Sequence, residues 1–437
     1  MKIDYQLPPI ELLDAPVVSV GESQPSIEAN QGKPQAKISI RSIMESKEWN
    51  ATDIGIPVIL GEDRSGKPVV VDLSRAPHLL IAGATGTGTT LCVHSLILSL
   101  LSSFTPDELN LLMVDPKTVD FTYYASLPHL ISPIITDVDK TPAELRLLVE
   151  EMERRYRLFS KVGSINISEF NSRKKLAVTE LDDEGKEIPY KIPKIVIIIN
   201  ELADIMVSDA RCEVEISIAR IAQKGRAAGI HMIIATQTPR VNVITSVIKA
   251  NMPTRIAFNV TSNVDSRVIL DMGGAEDLIG RGDMLFLATD SSDFRRIQGA
   301  WVSEKEIEKV VKFISRQTSE KVVEILKNNL DKLKIKLRTF AAERNWERFH
   351  SPKNLSMALN VEAAELLEIF QWLTEDESLS MPASKLNHAR EEIGDILNYT
   401  VRLADKLGID PLEAAFDKIE KKNRMYPVAE DMEISRG

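Results

Sequence analysis

The chain has 437 residues, of which 43% are apolar and 27% charged, a composition typical of a soluble globular protein with two or three domains. A net charge of −10 excludes a wholly basic nucleic-acid-binding protein, although it leaves room for a local basic channel. No apolar run approaches the roughly 20 residues that span a bilayer, and the N-terminus lacks the apolar core of a signal peptide, so we predict a cytoplasmic protein without a membrane partner.

The first 76 residues divide into a segment with little periodicity and a segment with short strand patterns. Residues 1–36 are rich in Pro, Ser, Glu and Gln, which is typical of a flexible arm. Residues 37–76 contain two strand patterns, Val58–Leu60 and Val69–Asp72, separated by a turn-forming segment with two glycines. We therefore predict a β-hairpin within a small lead-in module over residues 37–76.

Residues 77–318 alternate between apolar strand patterns and helical patterns, which predicts an α/β domain with a parallel sheet. The predicted strands are Leu79–Ala82, Leu109–Val114, Ile195–Ile199, Met232–Ala235 and Arg255–Val260. The predicted helices are Leu91–Leu101, Pro142–Lys161, Arg211–Ala228 and Asn263–Leu270. From residue 319 the strand patterns cease, so residues 319–437 are predicted to form an all-α domain whose helices include Asn354–Leu373, Pro382–Leu407 and Pro411–Arg424.

A glycine-rich loop, Gly83 to Thr90, lies between the first of these strands and the first helix. Strand, glycine loop and helix form a phosphate-binding P-loop, whose backbone N–H groups and helix N-terminus attract an anion. The pattern requires a lysine where this chain has Thr89, so the ammonium that reaches the β- and γ-phosphates is missing. The loop residues predicted to bind nucleotide are Gly83, Thr85, Gly86, Gly88, Thr89 and Thr90, and Thr90 is also a predicted Mg²⁺ ligand.

The run from Lys194 to Glu201 resembles a Walker B strand, in which an apolar run ends in Asp-Glu. In that motif the aspartate organises Mg²⁺ and the glutamate polarises the attacking water. Asn200 stands at the aspartate position and cannot supply its negative charge. Glu201 keeps the position of the catalytic glutamate.

Residues 57–302 resemble the motor domain of FtsK/SpoIIIE-type DNA translocases. The matching stretches are Pro77–Gly83, Asp115–Lys117, Leu127–Leu130, Glu151–Tyr156, Gly225–His231, Ala235–Gln237, Ile248–Phe258, Asp265–Asp271 and Gly282–Leu285. The resemblance implies an α/β RecA-like P-loop NTPase fold that assembles as a ring, commonly a hexamer, around double-stranded DNA with ATP at subunit interfaces. It also implies Gln237 as a γ-phosphate sensor and Arg226 or Arg255 as the arginine supplied to a neighbouring subunit. An intrachain salt bridge is the alternative role for either arginine.

The two departures at Thr89 and Asn200 make ATPase activity of this domain doubtful. Phosphoryl transfer is catalysed by positioning and charge stabilisation, and each lost charge costs on the order of 3 kcal/mol by analogy with an oxyanion donor. Together that is a rate loss of about four orders of magnitude. Slow turnover, or nucleotide binding alone, remains compatible with the loop.

Four acids in the second domain lie in two pairs with helical i, i+3 spacing, Glu362 with Glu365 and Glu392 with Asp395. Each pair shares a helix face, and two such helices packed together would bring four carboxylates to one point. Like charges repel there unless a cation lies between them, and oxygen ligands suit Mg²⁺ or Mn²⁺. A solvated helix face is the alternative, but the apolar neighbours of Glu362 and Glu365 favour a metal site.

Residues 330–428 resemble the all-α, MazG-like nucleoside triphosphate pyrophosphohydrolases, especially the dCTP-pyrophosphatase branch. The matching stretches are Phe340–Leu355, Glu362–Leu366, Phe370–Trp372, Glu391–Tyr399 and Lys421–Pro427. The resemblance implies that the four acids hold Mg²⁺ and activate water for attack at the α-phosphorus, giving a nucleoside monophosphate and pyrophosphate. It implies that Trp346, His350 and Trp372 frame the base, and that Asn398, Lys421, Asn423 and Tyr426 contact base, sugar or phosphates, often across a subunit boundary. Core packing is the alternative role for the two tryptophans.

The sequence thus predicts a Mg²⁺-dependent (deoxy)nucleoside triphosphate pyrophosphohydrolase, with the acids Glu362, Glu365, Glu392 and Asp395 as its candidate catalytic residues. Glu201 is the candidate catalytic residue of the P-loop domain. The pyrophosphohydrolase would be joined to a ring-forming domain that binds DNA or nucleotide and has impaired ATPase activity. Its expected partners are nucleoside triphosphates, double-stranded DNA and further copies of the chain, as a hexamer through the first domain or as dimers or tetramers through the second. The alternative is an ATP-driven DNA translocase with a helical oligomerisation appendage.

Overall fold

The structure is a computed structural model that describes residues 5–15, 37–51, 53–173, 187–289, 291 and 293–426, without the side chains of residues 318–329, 383, 420 and 423. The chain divides into two compact units, residues 1–318 and 319–437, which are described separately. None of the described helices combines the length and the apolarity needed to cross a membrane.

Among its described residues, the first unit contains nine strands. They are β1 Pro57–Asp63, β2 Pro68–Asp72, β3 His78–Ala82, β4 Leu109–Val114, β5 Lys194–Ile199, β6 Ile230–Thr236, β7 Thr254–Phe258, β8 Asp283–Leu287 and β9 Arg295–Gly299. The helices of the first unit are α1 Ile40–Met44, α2 Thr89–Ser103, α3 Thr141–Val162, α4 Ile167–Ser172, α5 Leu202–Met206, α6 Arg211–Ala228, α7 Ser246–Asn251 and α8 Asn263–Leu270. Helix α9, Glu304–Glu343, begins in the first unit and ends in the second.

The strands form one sheet in the order β2-β1-β9-β8-β7-β3-β6-β5-β4. Strands β7, β3, β6, β5 and β4 pair in parallel, and these are the five strands that the alternation in the sequence predicts. The remaining strands pair antiparallel, so the sheet is mixed rather than wholly parallel. The prediction lacked β8 and β9, because β9 contains one buried apolar residue and has no strand-like pattern of its own.

The hairpin predicted near residue 60 is confirmed as β1 and β2. Strand β1 also pairs with β9, so the predicted lead-in module is part of the same sheet. Gly61 has φ +152° where β1 passes β9, and a Cβ there would lie 1.9 Å from the carbonyl oxygen of Gln298. Only glycine fits so close an approach of two backbones.

Helix α2 follows the glycine loop and is buried on nearly all sides. Its apolar side chains join a core layer on one face of the sheet, while α3 and α6 cover a second apolar layer that includes alternate residues of the same strands. The Ser99 hydroxyl accepts the backbone N–H of Ile59 at 3.0 Å, and the Ser95 hydroxyl donates to the carbonyl of Ile59 at 3.1 Å. These bonds hold α2 against β1 and so fix the loop that precedes it.

Within the arm predicted for residues 1–36, residues 5–15 lie against the first unit. Leu13 is buried in the core, and the backbone N–H of Asp14 donates to Glu306 at 3.0 Å. The Asp14 carboxylate forms an ion pair with Lys309 at 3.1 Å. Residues 16–36 lie outside the described part of the chain.

Four histidines of the first unit are buried, and the largest pKa shifts among them belong to His78 on β3 and His231 on β6. Burial lowers the pKa of His78 to about 4 and that of His231 to about 3. Below the unfolded pKa of about 6.5, the unfolded chain binds these protons and the folded chain does not, so stability falls as pH falls from 6.5 toward 4. The expected loss between pH 7 and pH 5 is on the order of 3 kcal/mol.

Urea unfolding at pH 7 and pH 5 checks this prediction. The His231→Gln variant is expected to lose less stability on acidification than the unchanged chain, because glutamine does not titrate. An equal loss in both proteins would contradict the assignment.

The described residues of the second unit form the end of α9 and four further helices, α10 Pro352–Phe370, α11 Glu375–Leu379, α12 Ala383–Leu407 and α13 Pro411–Met425. The three long helices predicted after residue 350 are confirmed as α10, α12 and α13, and α11 was not predicted. Helix α10 packs along α12. Among the side chains described in this unit, the buried apolar ones are Ala341, Leu355, Ala389, Val401 and Ala404.

Candidate nucleotide sites

The glycine loop lies between β3 and α2 as predicted. Gly88 has φ +127°, and a Cβ there would lie 2.8 Å from the Cα of Gly282. The backbone N–H of Gly282 donates to the carbonyl of Thr87 at 2.8 Å, so the loop is anchored to the turn before β8. Of the other predicted loop residues, Gly83 is buried, whereas Thr85 and Gly86 are exposed at the tip.

Thr89 is the first residue of α2, and its side chain is buried. Within the described part of the chain its hydroxyl has no hydrogen-bond partner. Thr90, the predicted Mg²⁺ ligand of this loop, is half-buried beside it. The helix N-terminus can attract an anion, but the side chain at position 89 carries no charge to place against a phosphate.

Asn200 follows β5 and is buried between two carboxylates. Its amide donates to Asp115 at 3.0 Å and to Asp120 at 2.8 Å. An aspartate at this position could donate neither bond and would add a third negative charge. The asparagine therefore stabilises the acidic pair without a cation, an arrangement that the sequence alone did not indicate because the partners are 80 and 85 residues away.

Glu201 is buried and accepts hydrogen bonds from several donors. Its carboxylate forms an ion pair with Lys117 at 3.1 Å and accepts the Thr236 hydroxyl at 2.5 Å. The backbone N–H of Gln237, the predicted phosphate sensor, donates to both Glu201 oxygens at 3.1 and 3.2 Å. Glu201 and Gln237 are therefore together at the ends of β5 and β6, as expected for a P-loop site.

The two arginines considered for a neighbouring subunit differ in their contacts. Arg255 is mostly buried and forms an ion pair with Asp271 at 2.6 Å, which matches the alternative role of an intrachain salt bridge. It also donates to the carbonyls of Lys249 and Met252 at 3.0 Å. Arg226 is exposed and donates to the carbonyl of Ser74 at 3.2 Å, so it is the more accessible of the two.

In the second unit, three of the four predicted acids converge. Glu362 on α10 and Glu392 and Asp395 on α12 each place a carboxylate oxygen within 4.8 Å of the others. Burial raises the pKa of Glu362, and the charges of Glu365, Asp395 and Glu392 raise it further. The fourth acid, Glu365, is exposed and is not part of this triad, although it is near enough to affect Glu362.

The triad fits a divalent cation. Glu392 is buried, and its Oε2 has no hydrogen-bond partner among the described residues, while Oε1 contacts His388 Nε2 at 3.2 Å. A buried carboxylate oxygen without a donor is costly, and repulsion among three acids adds to that cost. A cation with oxygen ligands, such as Mg²⁺, would relieve both.

A cavity of about 380 Å³ adjoins the triad, since Asp395 also lines it. The predicted residues Trp346, His350 and Asn398 lie in its wall. The residues in the wall that were not predicted are Lys336, Leu337, Phe340, Tyr399 and Arg402. The spacing of Asp395, Asn398, Tyr399 and Arg402 is i, i+3, i+4, i+7, so a helical-face analysis extended beyond the acids would have found two of them.

Aromatic rings form one side of this cavity. The rings of Phe340 and Trp346 pack edge to face with 5.7 Å between their centroids, and the rings of Trp346 and His350 do so with 6.4 Å between theirs. Trp346 is 44% exposed, so its role is not that of an ordinary core residue. Such a wall suits the face of a nucleobase.

Trp372, Lys421 and Tyr426, also predicted as contacts, do not line this cavity. Trp372 is 87% exposed and Tyr426 is 76% exposed, which excludes core packing for Trp372. Lys421 is also exposed, and the side chain of Asn423 lies outside the described residues. Trp372, Lys421 and Tyr426 are free to contact a nucleotide only from outside the cavity or across a subunit boundary.

The fold and these sites define two classes of domain, a RecA-like P-loop domain and an all-α domain with an acidic site beside an aromatic pocket. Residues 39–241 match the FtsK/SpoIIIE family, and residues 357–437 match the MazG-like family. The first domain of the chain belongs to the FtsK/SpoIIIE family, and the second is MazG-like.

The relatives of the first domain are close in sequence. The DNA translocase FtsK of Sporosarcina ureae is 46% identical and the DNA translocase SpoIIIE of Bacillus subtilis is 47% identical, each over 305 residues. Each alignment covers 70% of this chain and 38% of the relative, so the chain spans well under half the length of these proteins.

Two solved structures are similar to parts of this chain. The pCW3 conjugation coupling protein TcpA, in its monomer form with ATPγS, is 28% identical with a TM-score of 0.50, over 62% of this chain and 72% of that chain. A pyrophosphatase from Archaeoglobus fulgidus is 40% identical over 23% of this chain and 94% of that chain, with a TM-score of 0.22.

Proposed function

We propose that the second domain is a Mg²⁺-dependent (deoxy)nucleoside triphosphate pyrophosphohydrolase. The observation that carries the proposal is the acidic triad, which meets an aromatic cavity at Asp395. A cavity of this size accommodates a nucleobase and sugar, and the triad lies where the phosphates of such a ligand would extend. The products would be a nucleoside monophosphate and pyrophosphate.

Each acid has a role in this proposal. Glu362, Glu392 and Asp395 would hold Mg²⁺, with Mn²⁺ as a substitute, and when bound the ion supplies Lewis-acid activation of the α-phosphate and of water. Glu365 is exposed and lies outside the triad, so it remains available to accept a proton from the attacking water. Trp346 would stack on the base, and Asn398 would orient it by hydrogen bonding.

Binding of Mn²⁺ and release of pyrophosphate test the proposal together. We expect the full chain to bind Mn²⁺, detected by electron paramagnetic resonance, and to release pyrophosphate from at least one deoxynucleoside triphosphate in the presence of Mg²⁺. Chelation of the metal should abolish the release. Absence of pyrophosphate from all common triphosphates would contradict the proposal.

The first domain would bind DNA and nucleotide and assemble the chain into a ring, with slow or absent ATP turnover. The family membership supports the binding functions, and the uncharged Thr89 and Asn200 support impaired hydrolysis. The oligomer is also supported by the second unit, which buries few apolar side chains and leaves large ones such as Leu367, Ile393 and Phe416 exposed. Such a surface is stable in water when a second copy covers it.

The second candidate function is an ATP-driven translocase of double-stranded DNA with the helical domain as an oligomerisation appendage. The identity of 46–47% with two DNA translocases favours it. The contact of Gln237 with Glu201 supports nucleotide binding at the glycine loop, and Lys117 places an ammonium against Glu201. This function requires DNA-stimulated ATP hydrolysis without the P-loop lysine.

A further inference from the structure

Arg402 is a buried residue of the second unit and lies two helical turns after Asp395 on the same face of α12. It is 5% exposed and lines the aromatic cavity from α12. Its guanidinium contacts three side chains: Nη1 donates to Asp405 at 2.8 Å, Nη2 donates to Glu347, and Nε lies 3.4 Å from Nδ1 of His350. Two of these partners are carboxylates, and the third is a wall residue of the cavity.

The contact with Arg402 determines the protonation of His350. A guanidinium has only donors, so Nδ1 of His350 must be the unprotonated ring nitrogen. The imidazole is then neutral and carries its single proton on Nε2. Partial burial lowers the pKa of His350, as do the charges of Arg402 and then Lys406, while Glu347 raises it. Lys336 is the other cation in the wall of the cavity.

The two carboxylates that contact Arg402 do not depend on it for a cation. Asp405 also accepts two bonds from Arg338, at 3.0 and 2.5 Å, and Glu347 accepts one from Lys406 at 2.6 Å. Both carboxylates would therefore keep a cation if Arg402 were removed. His350 would not keep a donor on Nδ1, because none of its other contacts described here supplies one.

We infer that Arg402 is a positioning residue that fixes the tautomer of His350, so that the cavity presents an Nε2–H donor to a hydrogen-bond acceptor on the nucleobase. This inference rests on the proposed function of the cavity. The substrate class it selects is a nucleotide whose base places a carbonyl oxygen or an unprotonated ring nitrogen against that wall.

Nitrogen NMR of ¹⁵N-histidine-labelled full-length protein tests the inference without any activity, with His350→Gln assigning the signal. We expect His350 in the unchanged chain to be neutral with the proton on Nε2. In Arg402→Met the two tautomers should mix, and the pKa of His350 should rise. Arg338→Met removes an arginine from the same network without touching His350, and it should leave the signal unchanged.

Kinetics provide the second readout. Arg402→Met should raise KM about fivefold to tenfold with kcat within about twofold, which is the effect of losing one binding hydrogen bond. Arg402→Lys should keep KM raised, because one ammonium cannot replace the forked donors. Arg338→Met should keep the KM of the unchanged chain.

The two readouts separate the two proposals. A wild-type His350 with its proton on Nδ1, or an unchanged His350 signal in Arg402→Met, would overturn the role of Arg402 whatever the activity. If the tautomer responds as expected, the role of Arg402 in holding His350 stands even where no pyrophosphate is released, and the failure then belongs to the proposed function.

Discussion

Glu362→Gln is expected to lower pyrophosphate release by about a hundredfold to a thousandfold, because it removes one of three converging carboxylates from the proposed Mg²⁺ site. The same change should leave the thermal midpoint unchanged or slightly raised. Burial, and then the neighbouring carboxylates, raise the pKa of Glu362 by disfavouring its ionised form, and a neutral amide avoids both costs. Reduced activity with an unchanged thermal midpoint would show that Glu362→Gln impairs catalysis and not folding.

Glu368→Gln is the matched control for this prediction. Glu368 is an exposed residue of the same helix and is not part of the triad, so its change to glutamine removes an equal charge elsewhere. We expect it to keep activity within about twofold, as for most surface substitutions. Full activity in Glu362→Gln would exclude the triad as the catalytic metal site.

Restoring both charges of the ATP site is expected to raise DNA-stimulated ATP turnover by about three to four orders of magnitude. The variant is Thr89→Lys with Asn200→Asp, and each charge contributes on the order of 3 kcal/mol to transition-state stabilisation. Release of orthophosphate with and without double-stranded DNA measures the effect.

The two substitutions should be strongly coupled. Asn200→Asp alone places a third carboxylate beside Asp115 and Asp120, with no added cation to offset it, and should destabilise the first unit. Thr89→Lys alone still lacks the magnesium-organising acid. Val264→Lys is the control, since it adds a lysine at an exposed position of the same unit outside the glycine loop. ATP turnover in the unchanged chain equal to that of the double variant would contradict impaired hydrolysis and favour the translocase.

The parts of the fold that the sequence predicts are those specified by local periodicity. Helices α6 and α8 have the predicted bounds, and the five parallel strands are apolar runs next to helical patterns. Strand β9 was missed because it is largely polar and its partner β1 is distant in sequence. A polar strand acquires its structure from its neighbours rather than from its own pattern.

The candidate sites, like the fold, combine local patterns that the sequence predicts with distant contacts that it does not. The glycine loop and the i, i+3 acids are local patterns, and the structure brings three of the four acids together. The contacts that decide their chemistry join distant residues, as Lys117 joins Glu201 and Arg402 joins His350. The sequence predicts Glu365 as an equal member of the acidic site. In the structure its side chain is exposed and lies outside the triad.

Product analysis tests the central claim most directly. The full chain is incubated with Mg²⁺ and each of the eight common nucleoside triphosphates, with and without double-stranded DNA, and the products are separated by anion-exchange chromatography. The account predicts nucleoside monophosphate and pyrophosphate from at least one triphosphate, at a rate that Glu362→Gln abolishes. Nucleoside diphosphate and orthophosphate, formed from ATP in a DNA-stimulated reaction and with no monophosphate, would contradict it.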